Sequence, residues 1–410
     1  MKKMIILLLC VLVLSTCSKL DAEKSNKPVE ELTTLEENQL KLAWSAIRHT
    51  DTLSCTSITP IVFEGNIISS KKLCEEGEVF EMRDGQTGEL IWTWDQWIIA
   101  DKAAGKSGVK LYGDKLVICF RHEIYVVDAN TGETIWDFAL QLPHRGDMRI
   151  NVFDGFIYHV HRPLSGNLVP FLHMVRSPIE APSWDTIYTL SMENGAHPFL
   201  DAPSFCKTEN GDTHLFFYEK YYHFDEHRSY AHLSCYSVAG DSMVWKVENF
   251  DEFANVVEPL VYEDKVFATG HHTIYCFDNA SGEPVWQKAF EETQQTFASH
   301  APMIVEGLLL IKPDDGSLYG FDPHKGHYEW GITDTGANCD QMAYHNGVVY
   351  FTCMGSNYLH GVDIYKGEEV LRQLPVRSAF GSSGVAIDQE QEQLFATSKK
   401  EILCYDLSIN

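Results

Sequence analysis

At 410 residues, with 44% hydrophobic and 12% aromatic side chains, the chain is too long for one ordinary core and too apolar for disorder. It is therefore several domains or one large repetitive architecture. Its 58 acidic against 32 basic side chains, a formal net charge of -26, argue against a nucleic-acid partner and against charge-driven docking on anionic lipid headgroups.

The N-terminus reads as a separate object. Lys2 and Lys3 precede an apolar run from Met4 to Leu14, followed by Leu14-Ser15-Thr16-Cys17, the pattern of a secretory signal with a lipoprotein-type ending. It resembles the bacterial lipobox, with Thr16 where Gly, Ala or Ser is usual, and Cys17 is the expected lipidation site; plain cleavage nearby is the alternative. Elsewhere no apolar run approaches the roughly 20 residues that span a bilayer. Residues 18–38 are polar and charge-rich without a hydrophobic period, so they are expected to form a flexible tether between lipid and domain. Without Lys2 and Lys3 the mature balance is 30 basic against 58 acidic side chains, or -28.

From residue 39 to 410 one phrase recurs. It reads Asp84-Gly-Gln-Thr-Gly88-Glu-Leu-Ile-Trp92, then Asp128…Gly132…Trp136, Asp278…Gly282…Trp286 and Asp322…Gly326…Trp330, with Gly four and Trp eight residues after Asp. Degenerate copies are read at Ser191, Gly195 and Phe199, at Ser237, Asp241 and Trp245, and at Asp363, Gly367 and Leu371; a last begins at Asp406. Eight copies at a period near 43 residues, with period-2 hydrophobicity inside each, predict an all-β, eight-bladed propeller of four-stranded antiparallel blades. Asp is expected to bond the turn, Gly to take a left-handed conformation, and Trp to pack at the seam between blades. The Trp44 strand has no preceding blade and the Asp406 copy no following strand, so the first is expected to complete the last blade and close the ring.

The third period, at 63 residues, is longer than the rest. Some 20 extra residues within 162–185 are expected to leave the ring as an apolar, proline-bearing loop, with Phe171 on it. The next blade carries Tyr218, Tyr221, Tyr222, Phe224 and Tyr230 with His223 and Arg228 among them, half of them core by strand alternation. Phe171, Tyr221, Tyr222, Phe224 and Arg228 are the candidate partner surface.

At these repeats the chain resembles the pyrroloquinoline-quinone-like repeat propellers over residues 39–410. Among lipid-anchored single-domain members its layout is similar to that of the propeller lipoprotein of the outer-membrane β-barrel assembly machinery. The resemblance implies a lipid-tethered outer-membrane scaffold, monomeric within a larger complex, that binds an envelope protein or an unfolded client protein and meets the membrane through its lipid alone. The family also contains quinone-dependent dehydrogenases that hold calcium and the cofactor beside adjacent cysteines. This chain has no adjacent cysteines, so neither pyrroloquinoline quinone nor calcium is expected and the protein is read as a scaffold, not an enzyme. A ligand- or glycan-binding module is the second reading, a quinoprotein dehydrogenase the third.

Nine cysteines remain outside the signal, an odd number without CxxC spacing, read as neither a zinc site nor a disulfide framework. Cys235, Cys276 and Cys404 fall two residues before the Asp position and are expected in the core. His159 and His161 share a strand face and could share a metal, but no third ligand is visible, and no metal site is assigned. Asp314-Asp315-Gly316 is read as a turn.

Overall fold

The computed structural model describes residues 39–47, 58–73, 77–96, 108–120, 123–139, 150–161, 171–252, 257–290, 302–337, 339, 341–353 and 355–408. The expected signal 1–17 with Cys17, the expected tether 18–38 and residues 162–170 of the long third period lie outside them. Leu40–Asn410 form one compact unit.

The fold is all-β: eight antiparallel sheets, the blades of a propeller ring, each built outward from a short inner strand. Blade 1 comprises Ile61–Phe63, Asn66–Leu73, Gly77–Asp84 and Leu90–Trp94; blade 2, Gly108–Tyr112, Lys115–Phe120, Glu123–Asp128 and Thr134–Ala139; blade 3, Ile150–Phe153, Phe156–His161, Phe171–Pro178 and Asp185–Ser191. Blades 5, 6 and 7 run over residues 260–289, 303–332 and 343–373. Blade 8 takes Phe380–Asp388, Gln393–Ser398 and Glu401–Asp406 from the C-terminal end and Lys41–Ile47 from the N-terminal end, with Lys41 opposite Asp406 and Trp44 opposite Cys404. The two ends of the chain thus share one sheet, which removes an open edge from the ring.

There is no single core. Each of the eight seams between adjacent blades holds its own apolar cluster, such as Phe80, Trp94, Ile118 and Tyr125 between blades 1 and 2, or Ile67, Phe395, Ile402 and Cys404 between blades 8 and 1. Cys235, Cys276 and Cys404 are buried in these clusters. A four-stranded blade cannot bury both of its faces alone, so each is stable only against its neighbours.

The recurring phrase builds the seam. Asp84 Oδ1 accepts hydrogen bonds from the backbone N–H groups of Gln86 and Thr87, and Asp128, Asp278, Asp322 and Asp363 do the same in their own turns. The Trp of one blade then lies over the Gly of the next blade's turn. Trp44, Trp92, Trp136, Trp245, Trp286 and Trp330 each donate their indole N–H, at 2.7–2.9 Å, to the carbonyl one residue after the next blade's Asp position. Gly88, Gly132, Gly282, Gly326 and Gly367 have φ between +66° and +73°, and a Cβ on any of them would lie within 2.9 Å of that indole.

Blade 3 corrects the sequence-based phasing. Trp136 bonds Ile179 O, so the residue at the Asp position is Pro178, not Ser191. Pro178 also pairs with Phe156, just after the inner turn, as Asp84 pairs with Asn66 and Asp278 with Lys265. Residues 171–178 are therefore the third strand of blade 3, not a loop leaving the ring, and Phe171 is its first residue. Phe199 does not occupy a fourth-strand docking position; it lies in His197–Leu200, an inner strand of blade 4, opposite Lys220. The residue after the bulge in blade 3's outer strand, where other blades place Trp, is Tyr188, whose ring meets Phe217 and Tyr236.

A second correction concerns the cysteines. Cys339 and Cys353 form a disulfide, joining the connector that enters blade 7 to the end of that blade's second strand.

Candidate partner-binding surface

Blade 4 departs from the other seven. Its middle strands, Thr213–His223 and Arg228–Ser237, run 11 and 10 residues, against five and six for the equivalent pair in blade 5, Lys265–Thr269 and Thr273–Asp278. The inner place is divided: Ser204–Lys207 pairs with residues 213–216 and His197–Leu200 with 219–222. Pairing continues to His223 opposite Arg228, so the hairpin carries a third strand along most of its added length and ends in the turn Phe224–His227. A hairpin extended by two strands alone would be marginal in water; the third strand gives it support.

A buried carboxylate stiffens its base. Glu219 is fully buried, accepts hydrogen bonds from Tyr188 and Ser234 at 2.8 and 2.6 Å, and pairs with Lys246 Nζ at 2.7 Å. A buried charge is tolerable when its lone pairs are satisfied in this way. Burial and the neighbouring Glu219 push the Tyr188 hydroxyl far above its usual range, so it stays a donor to the carboxylate.

Strand alternation divides the aromatic residues between two faces. Tyr221 is buried, stacked on Tyr230 at 5.1 Å and close to His232, so it belongs to the core and not to an exposed surface. Tyr218 is also core, accepting the Thr269 N–H at 3.1 Å. Tyr222 and Phe224 come together at 4.8 Å, with His197 edge-on to Phe224 at 5.0 Å. Phe224 is 53% exposed. Arg228 is exposed and pairs with Glu226 at 3.2 Å. Tyr222, Phe224 and Arg228 thus gather at the hairpin tip, while Phe171 stays in blade 3 against His173, at 4.9 Å. His197 was not singled out from the sequence, because its role depends on a strand unique to this blade.

The histidine pair of blade 3 acquires a neighbour. His161 lies opposite His173 and stacks on it at 6.0 Å, with Trp184 edge-on to His161 at 5.0 Å. His159 is completely buried, and neither ring nitrogen has a hydrogen-bond partner. Among the described residues the metal-compatible group is instead Glu263, Asp264 and His324, all solvent-exposed on two turns. Asp315 Oδ1 accepts the Ser317 N–H at 2.8 Å, as a turn-closing side chain does.

The strand pairing defines the chain as an eight-bladed β-propeller, and its repeats are similar to those of the pyrroloquinoline-quinone-like type. Residues 230–409 match the model of a family described as outer membrane protein assembly factor BamB. Among solved structures, BamB from Moraxella catarrhalis superposes with a TM-score of 0.57 at 12% identity, over 91% of this chain and 99% of that one. Quinohemoprotein alcohol dehydrogenase from Comamonas testosteroni gives 0.65 at 12% identity, over 89% of this chain and 76% of that one. The computationally designed Ika8 protein gives 0.62 at 11%, over 86% and 97%. Likeness at this level of identity shows a shared fold. No curated protein matches the chain.

Proposed function

We propose that the chain is a lipid-anchored scaffold of the bacterial cell envelope, held to the outer membrane through Cys17, working in outer-membrane protein assembly. Its blade-4 hairpin receives another envelope protein or an unfolded client. The observation that carries this reading is the three-stranded extension of blade 4, which presents Tyr222, Phe224 and Arg228 at its tip on a rigid base. Aromatic residues and arginine supply most of the energy at protein interfaces, and a ring that orders nothing on binding loses little entropy. The resemblance to the BamB family model supports the envelope setting. Pyrroloquinoline quinone and calcium are no part of this reading, since the sequence has no adjacent cysteines to lie beside such a cofactor.

The test is a crosslinking pull-down of the intact lipoprotein from its native envelope, beside a Phe224→Ser, Arg228→Glu variant. Both positions are exposed, so the variant should melt with the native protein. Recovery of barrel-assembly components by the native chain and their loss from the variant is the expected result. Equal recovery by both moves the surface elsewhere, and no protein recovered by either ends the scaffold reading.

A further inference from the structure

Blade 7 holds a relay of three side chains that the scaffold reading does not use. Ser356 lies in the turn after Val348–Thr352, His360 is the second residue of Leu359–Asp363, and Glu369 is the second residue of Glu368–Gln373. Ser356 Oγ is 2.8 Å from His360 Nε2, and His360 Nδ1 is 2.5 Å from Glu369 Oε1. The strand register sets Arg372 opposite His360 and, past a bulge between Gly361 and Val362, Glu369 opposite Val362, from where its carboxylate reaches the histidine. Arg372 then fixes the carboxylate with three hydrogen bonds of 2.5–3.1 Å.

The protonation pattern follows from the partners. Burial alone would raise the Glu369 carboxyl, but the hydrogen bonds from His360 and Arg372 outweigh it and hold the group below its usual range. An ionised carboxylate only accepts, so His360 Nδ1 carries the proton and Nε2 presents a lone pair to the Ser356 hydroxyl. Burial also lowers His360, and the charges of Arg372 and Lys312 oppose its protonation, against Glu369, which favours it. The imidazole is therefore a free base at neutral pH.

The surroundings hold this geometry. The His360 ring is fully buried and stacked on Phe351 at 5.2 Å and 15°. The connector into blade 7 presses on the serine turn: a Cβ on Gly336 would lie 2.8 Å from Ser356 N and Cβ, and the Cys339–Cys353 disulfide ties the two segments together. The far end of the relay opens outward. Ser356 is half-buried between exposed Gly355 and Asn357, and besides donating to the histidine its Oγ accepts a long 3.3 Å bond from Tyr358 N–H. Nucleophile, base and orienting acid are thus in hydrogen-bond sequence, with the nucleophile at the solvent end.

We propose that Ser356 is a nucleophile activated by His360 as general base, that Glu369 positions the histidine, and that the site cleaves carboxylic esters. The Ser356 Oγ–H proton passes to His360 Nε2 as Oγ bonds the acyl carbon. The alkoxide leaves with that proton as the ester C–O bond breaks. Water then adds to the acyl carbon while giving its proton to Nε2, and the acid departs as Ser356 regains its hydrogen. The proposal goes beyond the scaffold reading and does not depend on it.

The experiment incubates the purified full chain with a fluorophosphonate probe, maps the label by peptide mass spectrometry, and follows p-nitrophenyl acetate hydrolysis against pH. Native protein should be labelled at Ser356, heat-denatured protein should not, and Ser356→Ala should lower hydrolysis about 100-fold or more. The native rate should rise with pH through the His360 titration and then level. Glu369→Gln removes the anion facing the imidazole, so its rate should fall and the rising limb move to lower pH, with Glu369→Asp recovering part of both; a purely structural role would move neither limb. Ser356→Ala deletes one half-buried hydroxyl, so it should fold and melt within a few degrees of the native protein even where a His360 variant fails to fold. No label at Ser356, label at another serine alone, or unchanged hydrolysis by Ser356→Ala overturns the proposal.

Discussion

At the scale of single residues, His159 carries a pH-dependent cost. It is completely buried, neither ring nitrogen is paired, and burial pushes its pKa down to about 3. The folded state holds this imidazole neutral, while the unfolded chain takes up a proton near pH 6.5. Stability linked to this group is therefore present above about pH 6.5 and lost as pH falls toward 3. One pKa unit is worth about 1.4 kcal/mol, so the step from pH 7 to pH 5.5 should cost about 1 kcal/mol through His159 alone. Urea denaturation of a His159→Leu variant at both values should show that part of the acid sensitivity removed, with equal or higher stability at pH 7. A second residue-scale prediction concerns Gly326, whose φ is +66° and whose added Cβ would lie 2.5 Å from Trp286. Gly326→Ala combines left-handed strain with a clash at the seam and should cost about 2–4 kcal/mol in the same assay. Gly195, which carries positive φ but has nothing near its Cβ, should lose only the smaller strain component on the same change.

At the scale of elements, legibility followed repetition. The Asp–Gly–Trp phrase could be read because the same seam recurs, and each Trp–Gly contact imposes the same two residues at the same spacing. Blade 3 could not be phased that way. Its outer turn begins at Pro178, lacks the Asp and Gly of the regular copies, and runs to Trp184 before the next strand. A second phrase would have phased it: Glu64-Gly65, Asp154-Gly155, Glu306-Gly307 and Asn346-Gly347 all take positive φ at both positions, the two-residue hairpin joining inner to second strand. Counting from Asp154-Gly155 assigns residues 171–178 to the blade. The hairpin tip was legible as an aromatic run, but only the added inner strand His197–Leu200 shows which residues it exposes. The Cys339–Cys353 disulfide had no signature, because it joins a connector to a strand end across a separation of 14 residues. A loop of that length predicts about 3 kcal/mol of stabilisation, so the Cys339→Ser, Cys353→Ser double variant should unfold at correspondingly lower urea. Reductant should bring the native protein to the same midpoint and leave the double variant unmoved.

At the scale of the whole molecule, the ring depends on one strand borrowed from the far end of the chain. Lys41–Ile47 pairs with Glu401–Asp406, Trp44 bonds Gly85 O at 2.7 Å across the seam to blade 1, and Gln373 of blade 7 holds both the N–H and the carbonyl of Leu40. Without that strand, blade 8 would present the unpaired edge of Glu401–Asp406, and the seam to blade 1 would lose its indole. Trp44 is partly buried, so its loss costs a share of the about 3–5 kcal/mol of a fully buried aromatic, and an open strand edge invites pairing with other chains. Deleting residues 39–47 should therefore lower the melting temperature by about 5 °C and produce concentration-dependent association. Because pairing, not chain order, closes the sheet, a permutant that carries residues 39–47 after Asn410 through a short glycine-serine linker should recover the native melting temperature and remain monodisperse. Calorimetry and light scattering on the three chains decide the matter: a deletion that melts like the native protein would mean that seven blades and an incomplete eighth hold the ring unaided.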